Sequence, residues 1–359
     1  MHVSVYEKLA DVLDTLPNGF PRTDSGIELR ILQRIFRPED AELFCDLRLH
    51  FETADQIAKR TGRSLEGLEA HLIEMGKRGQ IFDVDLGGVH IFRMLPWVFG
   101  IYEFQLHRLD RELAEMCETY NQVFGKQFFK TKPQLMQVVP IEKEIEGTHE
   151  ALPFERVSSI IENGKSFMVQ DCICKKERGI MDQPCSRPME VCMAIAPVEG
   201  VFDKNEHGRK LTKEEAYALL ESCEQQALVH LTWNVQNGHY FICNCCGCCC
   251  GVLRSAGAWG ASNIVRSSYY AQIDPDACVS CGVCAQERCQ VNAIEEAETA
   301  YRVIREKCIG CGLCVTTCPS EAIRLVRKPA EEIEPAPKDE MDWYITRSKA
   351  RNRDIQKYL

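Results

Sequence analysis

Residues 278–294 read CVSCGVCAQERCQVNAI, and residues 308–323 read CIGCGLCVTTCPSEAI. The two blocks start thirty residues apart, each carries four cysteines, and each closes on Ala-Ile. The second, Cys308-x2-Cys311-x2-Cys314-x3-Cys318-Pro319, has the spacing that holds cubane [4Fe–4S] clusters. Three thiolates at intervals of three residues can wrap three corners of one cubane. The proline after the fourth turns the chain out of the loop. Gly282 and Gly312, between the second and third cysteine of each block, let the backbone pass close to inorganic sulfide. Amides aimed at that sulfide help to set its potential.

Over residues 274–327 the chain resembles the bacterial-type ferredoxins that carry two [4Fe–4S] clusters. The resemblance implies a compact βαββαβ fold with exchanged ligands. One cluster would take Cys278, Cys281, Cys284 and Cys318, and the other Cys308, Cys311, Cys314 and Cys289. The first block departs from the pattern, with four residues between Cys284 and Cys289 and Gln290 in place of proline. Because Cys289 to Ala293 and Cys318 to Ala322 keep equal spacing, the extra residue is confined to 285–288. Residues 301–304 would supply a hairpin strand between the halves. Eight cysteines in this register suit zinc poorly. Two close clusters form a conducting pair where one would suffice for structure, so electron transfer is the expected work.

Cysteine makes up 21 of 359 residues and crowds into the second half. A secreted disulfide scaffold would be short and would open on a signal peptide. The opening MHVSVYEKLADVLDTL is amphipathic instead, and no apolar run is long enough to span a membrane. The expected setting is a reducing cytoplasm with metal-bound thiolates. A formal charge of −10 argues against a phosphate-backbone partner.

Ten more cysteines lie upstream in two clumps: Cys172, Cys174, Cys185 and Cys192, then Cys243, Cys245, Cys246, Cys248, Cys249 and Cys250 in CNCCGCCCG. Thiols at this density are not ordinary core. They would ligate one or two additional iron–sulfur clusters or hold structural zinc, since soft thiolates suit both. The adjacent ferredoxin segment favours iron, and neither clump shows the paired CxxC of a zinc ribbon. The division of ligands is not readable from spacing. His230 and His239 are candidate members that fit the core better, and Cys45, Cys117 and Cys223 read as core. Gly164-Lys165-Ser166 imitates the end of a phosphate loop, but Ser159 stands where glycine is needed.

The first hundred residues predict helices at 27–36, after Pro38, at 53–59 and at 64–77 with Ser64 as N-cap, then a hairpin around Gly87-Gly88. This order resembles a winged helix, whose family role is major-groove reading. The segment carries 12 Lys and Arg against 16 Asp and Glu, so a protein-docking role is preferred to DNA binding. A long helix is expected over 99–124. Residues 153–162 should be helical and 166–170 a strand, and Thr212 should cap a helix with Glu215. The acidic, proline-rich run after Lys328 reads as a solvated tail with a helix from 342, Trp343 and Tyr344 being candidate docking anchors.

The expected architecture is a multidomain α+β chain. It comprises a winged-helix-like domain (1–98), a cysteine-rich α/β domain with a helical connector (99–268), a ferredoxin-like dicluster domain (269–328) and a tail (329–359). The expected function is electron transfer through two [4Fe–4S] clusters and a further one, as a subunit or redox partner of an anaerobic oxidoreductase rather than as an enzyme itself. Two alternatives are a redox-sensing winged-helix regulator and a reductase with its active metal in the middle domain.

Overall fold

Two of the N-terminal helices open on reciprocal capping boxes, and one of these ends at a glycine. Ser4 and Glu7 form a reciprocal capping box on α1 (Val5–Thr15), and Thr53 and Gln56 do the same for α4 (Ala54–Thr61). Between them lie α2 (Ile27–Ile35) and α3 (Pro38–Phe44), the latter with proline in its first turn. Gly62, at φ +74°, ends α4. The computed structural model describes residues 4–145, 151–203, 205 and 207–359. They divide into two units, one of residues 4–131, 179–184 and 344–359, the other of 132–178 and 185–343.

In the first unit α5 is shorter than expected, spanning Leu68–Lys77 with Gly67, not Ser64, as its N-cap. Gly62 and Gly67 both take positive φ, which makes 62–67 a loop, and Leu65 stays exposed. Strands β1 (Ile81–Asp85) and β2 (His90–Met94) pair antiparallel, Ile81 opposite Met94. The long helix expected over 99–124 is displaced. Val98, Phe99 and Gly100 leave helical φ/ψ, and α6 (Arg111–Phe128) starts afresh where Asp110 accepts the amide of Leu113. Cys117 is buried in its core face, as expected.

Residues 344–350 of the C-terminal helix α13 (Glu340–Ala350) are integral to this unit. Tyr344 is buried rather than presented to a partner. Arg347 is fully buried, stacks on Phe128, and donates from Nε to the Pro17 carbonyl and from its Nη atoms to those of Thr131 and Phe128 at 2.6–3.1 Å. It thereby satisfies carbonyls at the C-terminal end of α6. Charge-assisted bonds to carbonyls contribute roughly 1.5–3 kcal/mol each. Arg347→Met leaves these carbonyl acceptors unsatisfied and is therefore expected to destabilise this unit by about 2–4 kcal/mol, measured as a lowered denaturation midpoint by circular dichroism.

The second unit is built on a seven-stranded sheet. Its strands are β3 (Met136–Val138), β4 (Ser166–Asp171), β5 (Glu190–Ala196), β6 (Arg209–Leu211), β7 (Val229–Trp233), β8 (Phe241–Cys245) and β9 (Val265–Arg266), in the order β6-β4-β5-β8-β7-β3-β9. All pairings are antiparallel except β3 with β9. Helices α7 (Val157–Asn163) and α9 (Lys213–Gln225) bury Ile160, Ile161, Ala216 and Leu220 against Val169, Met193, Ile195 and Ile242 of one sheet face. The Thr212–Glu215 capping box opens α9, and Cys223 lies buried on it. The helix read at 153–162 is a 3-10 turn (Pro153–Glu155) followed by α7. Short helix α8 (Ile173–Ile180) follows β4, while α10 (Gly251–Arg254), α11 (Ala256–Trp259) and α12 (Ala261–Ile264) lead into β9.

Two two-stranded sheets complete this unit: β10 (Tyr269–Ile273) with β13 (Ile323–Arg327), and β11 (Ile294–Glu296) with β12 (Tyr301–Val303). The hairpin strand expected at 301–304 is thus present. Buried Glu155 joins these strands to the large sheet, pairing with Arg327 at 2.9 Å and Arg266 at 3.5 Å and accepting the Ser268 hydroxyl. The run after Lys328 is not a free tail. The Pro337 and Lys338 carbonyls accept the Gln236 and Asn237 amides, and Trp343 is fully buried, edge-on to Trp233.

Candidate metal centres

The two cysteine blocks repeat in backbone as well as in sequence. Ser280 and Gly310 occupy matching positions and both take positive φ, as do Gly282 and Gly312, and Asn292 and Glu321. At Gly310 the left-handed turn is also a close approach. A Cβ there would stand 2.2 Å from the Tyr269 carbonyl oxygen. These turns fold each block around a cavity. Cys278, Cys281, Cys284 and Cys318 line one, together with Ile273, Tyr301 and Ile323. Cys289, Cys308, Cys311 and Cys314 line the other. In each, three thiols come from one block and the fourth from the other.

The extra residue before Cys289 has a defined place. Cys284–Arg288 forms a π turn, in which the Cys289 amide donates to the Cys284 carbonyl at 3.0 Å, five residues back. A π turn takes up one more residue than an α turn. The insertion is absorbed there, and Cys289 still reaches the second cavity. Amides already point at sulfur: Ala293 to Cys289 at 3.1 Å, Ala271 to Cys308 at 3.3 Å, and Gly310 to Cys308 at 3.4 Å. Burial opposes ionisation of Cys318. Hydrogen bonds from the Ser320 hydroxyl and the amides of Ser320, Ala322 and Ile323 outweigh it and hold this thiol below its ordinary value. Four thiols that can ionise, with amides aimed at several of them, match the donor set of a [4Fe–4S] cluster.

The ten upstream cysteines fall into two groups, a division that spacing could not show. In the sheet, Cys192 of β5 stands directly opposite Cys243 of β8. Strand alternation puts Cys245 on the same face, away from the Met193–Ile242 side that packs on α7 and α9. The Cys172 thiol contacts those of Cys174 and Cys192, Cys192 contacts Cys243, Cys243 contacts Cys245, and Cys245 contacts Cys250. Six thiols thus run as one chain of contacts. The other four, Cys185, Cys246, Cys248 and Cys249, lie with every sulfur within 4.8 Å of the rest.

Neither histidine joins a thiol group. His230 Nδ1 lies 2.6 Å from Asn244 Oδ1, and His239 Nδ1 lies 3.3 Å from the Thr232 hydroxyl. Burial lowers the pKa of both, that of His239 to about 4, so they pack as neutral rings.

Sequence reasoning missed two residues that tie the dicluster segment to the rest of its unit, one to the cysteine loop and one to α9. Gln290 Oε1 accepts the Gly247 amide at 3.0 Å. Arg288, nearly buried, donates to the Glu224 and Gln225 carbonyls at the end of α9 and to the Leu313 carbonyl, each at 2.9 Å. The signal for Gln290 was present, since it occupies the place of the expected proline.

Residues 271–325 match the 4Fe-4S dicluster domain family. Over 48 residues the chain is 42% identical to a subunit of the ion-translocating oxidoreductase complex of Methanosarcina acetivorans, covering 13% of this chain and 18% of that protein. Over 73 residues it is 40% identical to a ferredoxin of Pyrobaculum islandicum, covering 20% of this chain and 64% of that one. The chain therefore spans less than two thirds of either relative. No solved structure matches it. Among the described residues no helix is long and apolar enough to cross a membrane. Residues 271–325 are thus a ferredoxin-type 4Fe–4S dicluster domain, set in a chain whose greater part lies outside these similarities.

Proposed function

We propose that this chain transfers single electrons through two [4Fe–4S] clusters, as a subunit or partner of an anaerobic oxidoreductase. One cluster is held by Cys278, Cys281, Cys284 and Cys318, the other by Cys289, Cys308, Cys311 and Cys314. The observation that carries this reading is the pair of four-cysteine cavities, each completed by a cysteine of the opposite block. When bound, the clusters supply the redox chemistry. The protein's share is to fix their separation through the shared blocks, to exclude water with Ile273, Tyr301 and Ile323, and to aim amides at sulfur. A further iron–sulfur cluster draws its ligands from Cys172, Cys174, Cys192, Cys243, Cys245 and Cys250, whose contiguous thiols exceed what one tetrahedral ion needs.

The winged-helix-like order of α4, α5, β1 and β2 serves as a docking surface in this reading. Basic side chains that would meet phosphate are engaged by carboxylates: Arg63 by Asp46 at 2.6 Å and Arg78 by Glu74 at 2.9 Å, while His71 Nε2 lies 2.7 Å from Asp40 Oδ1. Iron and acid-labile sulfide are to be counted on anaerobically purified chain, with low-temperature EPR after reduction. About twelve irons with matching sulfide, four per cubane, is the expected result. Fewer than about four, with zinc in their place, would overturn the electron-transfer reading.

A further inference from the structure

We propose that Cys185, Cys246, Cys248 and Cys249 bind one metal ion as a tetrahedral tetrathiolate, a centre separate from any iron–sulfur cluster of the chain. The geometry of the sulfurs carries this. Sγ of Cys185 lies 3.8 Å from that of Cys246 and 3.6 Å from that of Cys248. Cys248 lies 3.3 Å from Cys246 and 3.6 Å from Cys249. A tetrahedral ion with metal–sulfur bonds of about 2.3 Å sets its ligands roughly 3.8 Å apart along each edge. The four thiols already stand near that separation. In a cubane each thiolate binds a different iron, so the sulfurs stand farther apart by more than a metal–metal spacing. The dicluster cysteines illustrate the contrast, since among the described residues only Cys185, Cys246, Cys248 and Cys249 are grouped this closely. A disulfide is a different arrangement again, since it needs sulfurs about 2 Å apart.

The surroundings fit a compact anionic centre. Four thiolates around a divalent ion carry two net negative charges, the four thiol protons being released on binding. Arg187 Nη1 stands 3.9 Å from the Cys248 sulfur, while its Nε is fixed on the Gln226 carbonyl at 3.1 Å. The Cys249 amide donates to the Cys246 sulfur, and the Gly247 amide between the ligands is held by Gln290. The ion class is borderline to soft, zinc or ferrous iron. Three ligands lie within four residues and the fourth about sixty residues earlier, so the ion would cross-link the loop after β8 to the segment before β5.

The test uses the full chain, purified without oxygen, as wild type and as Cys185→Ser and Cys248→Ser. Zinc, iron and acid-labile sulfide are measured on each. The wild type is expected to hold one ion beyond the sulfide-matched iron. Each variant should lose that one ion while keeping its sulfide and its reduced-cluster EPR signal, which also shows that it is folded. Loss of several irons together with sulfide would overturn the proposal in favour of a polynuclear cluster, and unchanged metal would overturn it outright. X-ray absorption at the zinc edge of the wild type, or Mössbauer spectroscopy where iron fills the site, needs no variant. Four sulfur neighbours with no second metal are expected, and a nearby second metal sinks the idea. The EPR signal reports the dicluster domain separately, so failure here is distinguishable from failure of the electron-transfer reading.

Discussion

Cys289→Ala and Cys308→Ala are expected to remove the same cluster, and Cys318→Ala the other. Cys289 lies in the first block but lines the cavity of Cys308, Cys311 and Cys314. Cys318 lies in the second block but lines that of Cys278, Cys281 and Cys284. A cubane that loses one of its four thiolates finds no fifth thiol among the residues lining either cavity, only hydroxyls such as Ser320 and Thr317 in one and Arg288 and Gln290 in the other. Each single variant should therefore lose about four of the irons and one of the two reduced-cluster EPR signals, four irons being the content of one cubane. The pattern across variants is the decisive readout. The Cys289 and Cys308 proteins should give superimposable residual spectra, and the Cys318 protein should give the complementary one. Different residual signals from Cys289→Ala and Cys308→Ala would show that the blocks do not exchange ligands. The π turn would then deliver Cys289 elsewhere.

The dicluster segment is the most legible part of this chain because its information is local. Cysteines three residues apart, with glycine between the second and third, dictate a tight loop whatever surrounds them. The resemblance carries the exchange of ligands, and the π turn takes up the extra residue so that Cys289 lines the cavity of Cys308, Cys311 and Cys314. Nothing in the composition of Ala285-Gln286-Glu287-Arg288 announces such a shift. The ten upstream cysteines stand out in number and density, which raises the expectation of metal, but their partition is not legible. Their division into six and four depends on the register that sets Cys192 against Cys243, and strand register is a non-local property. Errors of element follow the same rule. Leu65 fits a helical stripe on paper, yet Gly67 provides a left-handed start to α5 that leaves Leu65 in the loop. Trp343 reads as an anchor for a partner because the acidic run before it looks solvated. It is instead buried, its indole N–H donating to the Gln134 carbonyl at 2.9 Å.

Gly247→Ala is expected to disrupt the contact between the cysteine loop and the dicluster domain more than any other single methyl group in that loop. Gly247 lies between two of the four clustered thiols, and a Cβ built on it would stand 2.1 Å from the Gln290 carbonyl oxygen. That oxygen belongs to the backbone, so no side chain can rotate away, and either the loop or the strand side must retreat. Overpacking of this kind costs typically 1–3 kcal/mol. The amide bond to Gln290 Oε1 is lost as the two segments part, bringing the expected destabilisation to about 2–4 kcal/mol. Gln290 directly follows Cys289, so the strain falls on the cavity lined by Cys289, Cys308, Cys311 and Cys314, and on the cluster proposed to fill it. That cluster should decay faster in air than the other, followed as selective loss of its EPR signal. Gln290→Pro separates the two contributions. It removes the acceptor of the Gly247 amide while supplying the residue the ferredoxin pattern expects, and it leaves the backbone carbonyl and the glycine intact. Gln290→Pro should keep both dicluster signals and lose only about 1–2 kcal/mol, the net worth of its bonds with the Gly247 amide and the Arg288 carbonyl. If Gly247→Ala proves as mild as Gln290→Pro, the approach of the two backbones is looser than 2.1 Å implies. The glycine would then be serving the thiol loop alone.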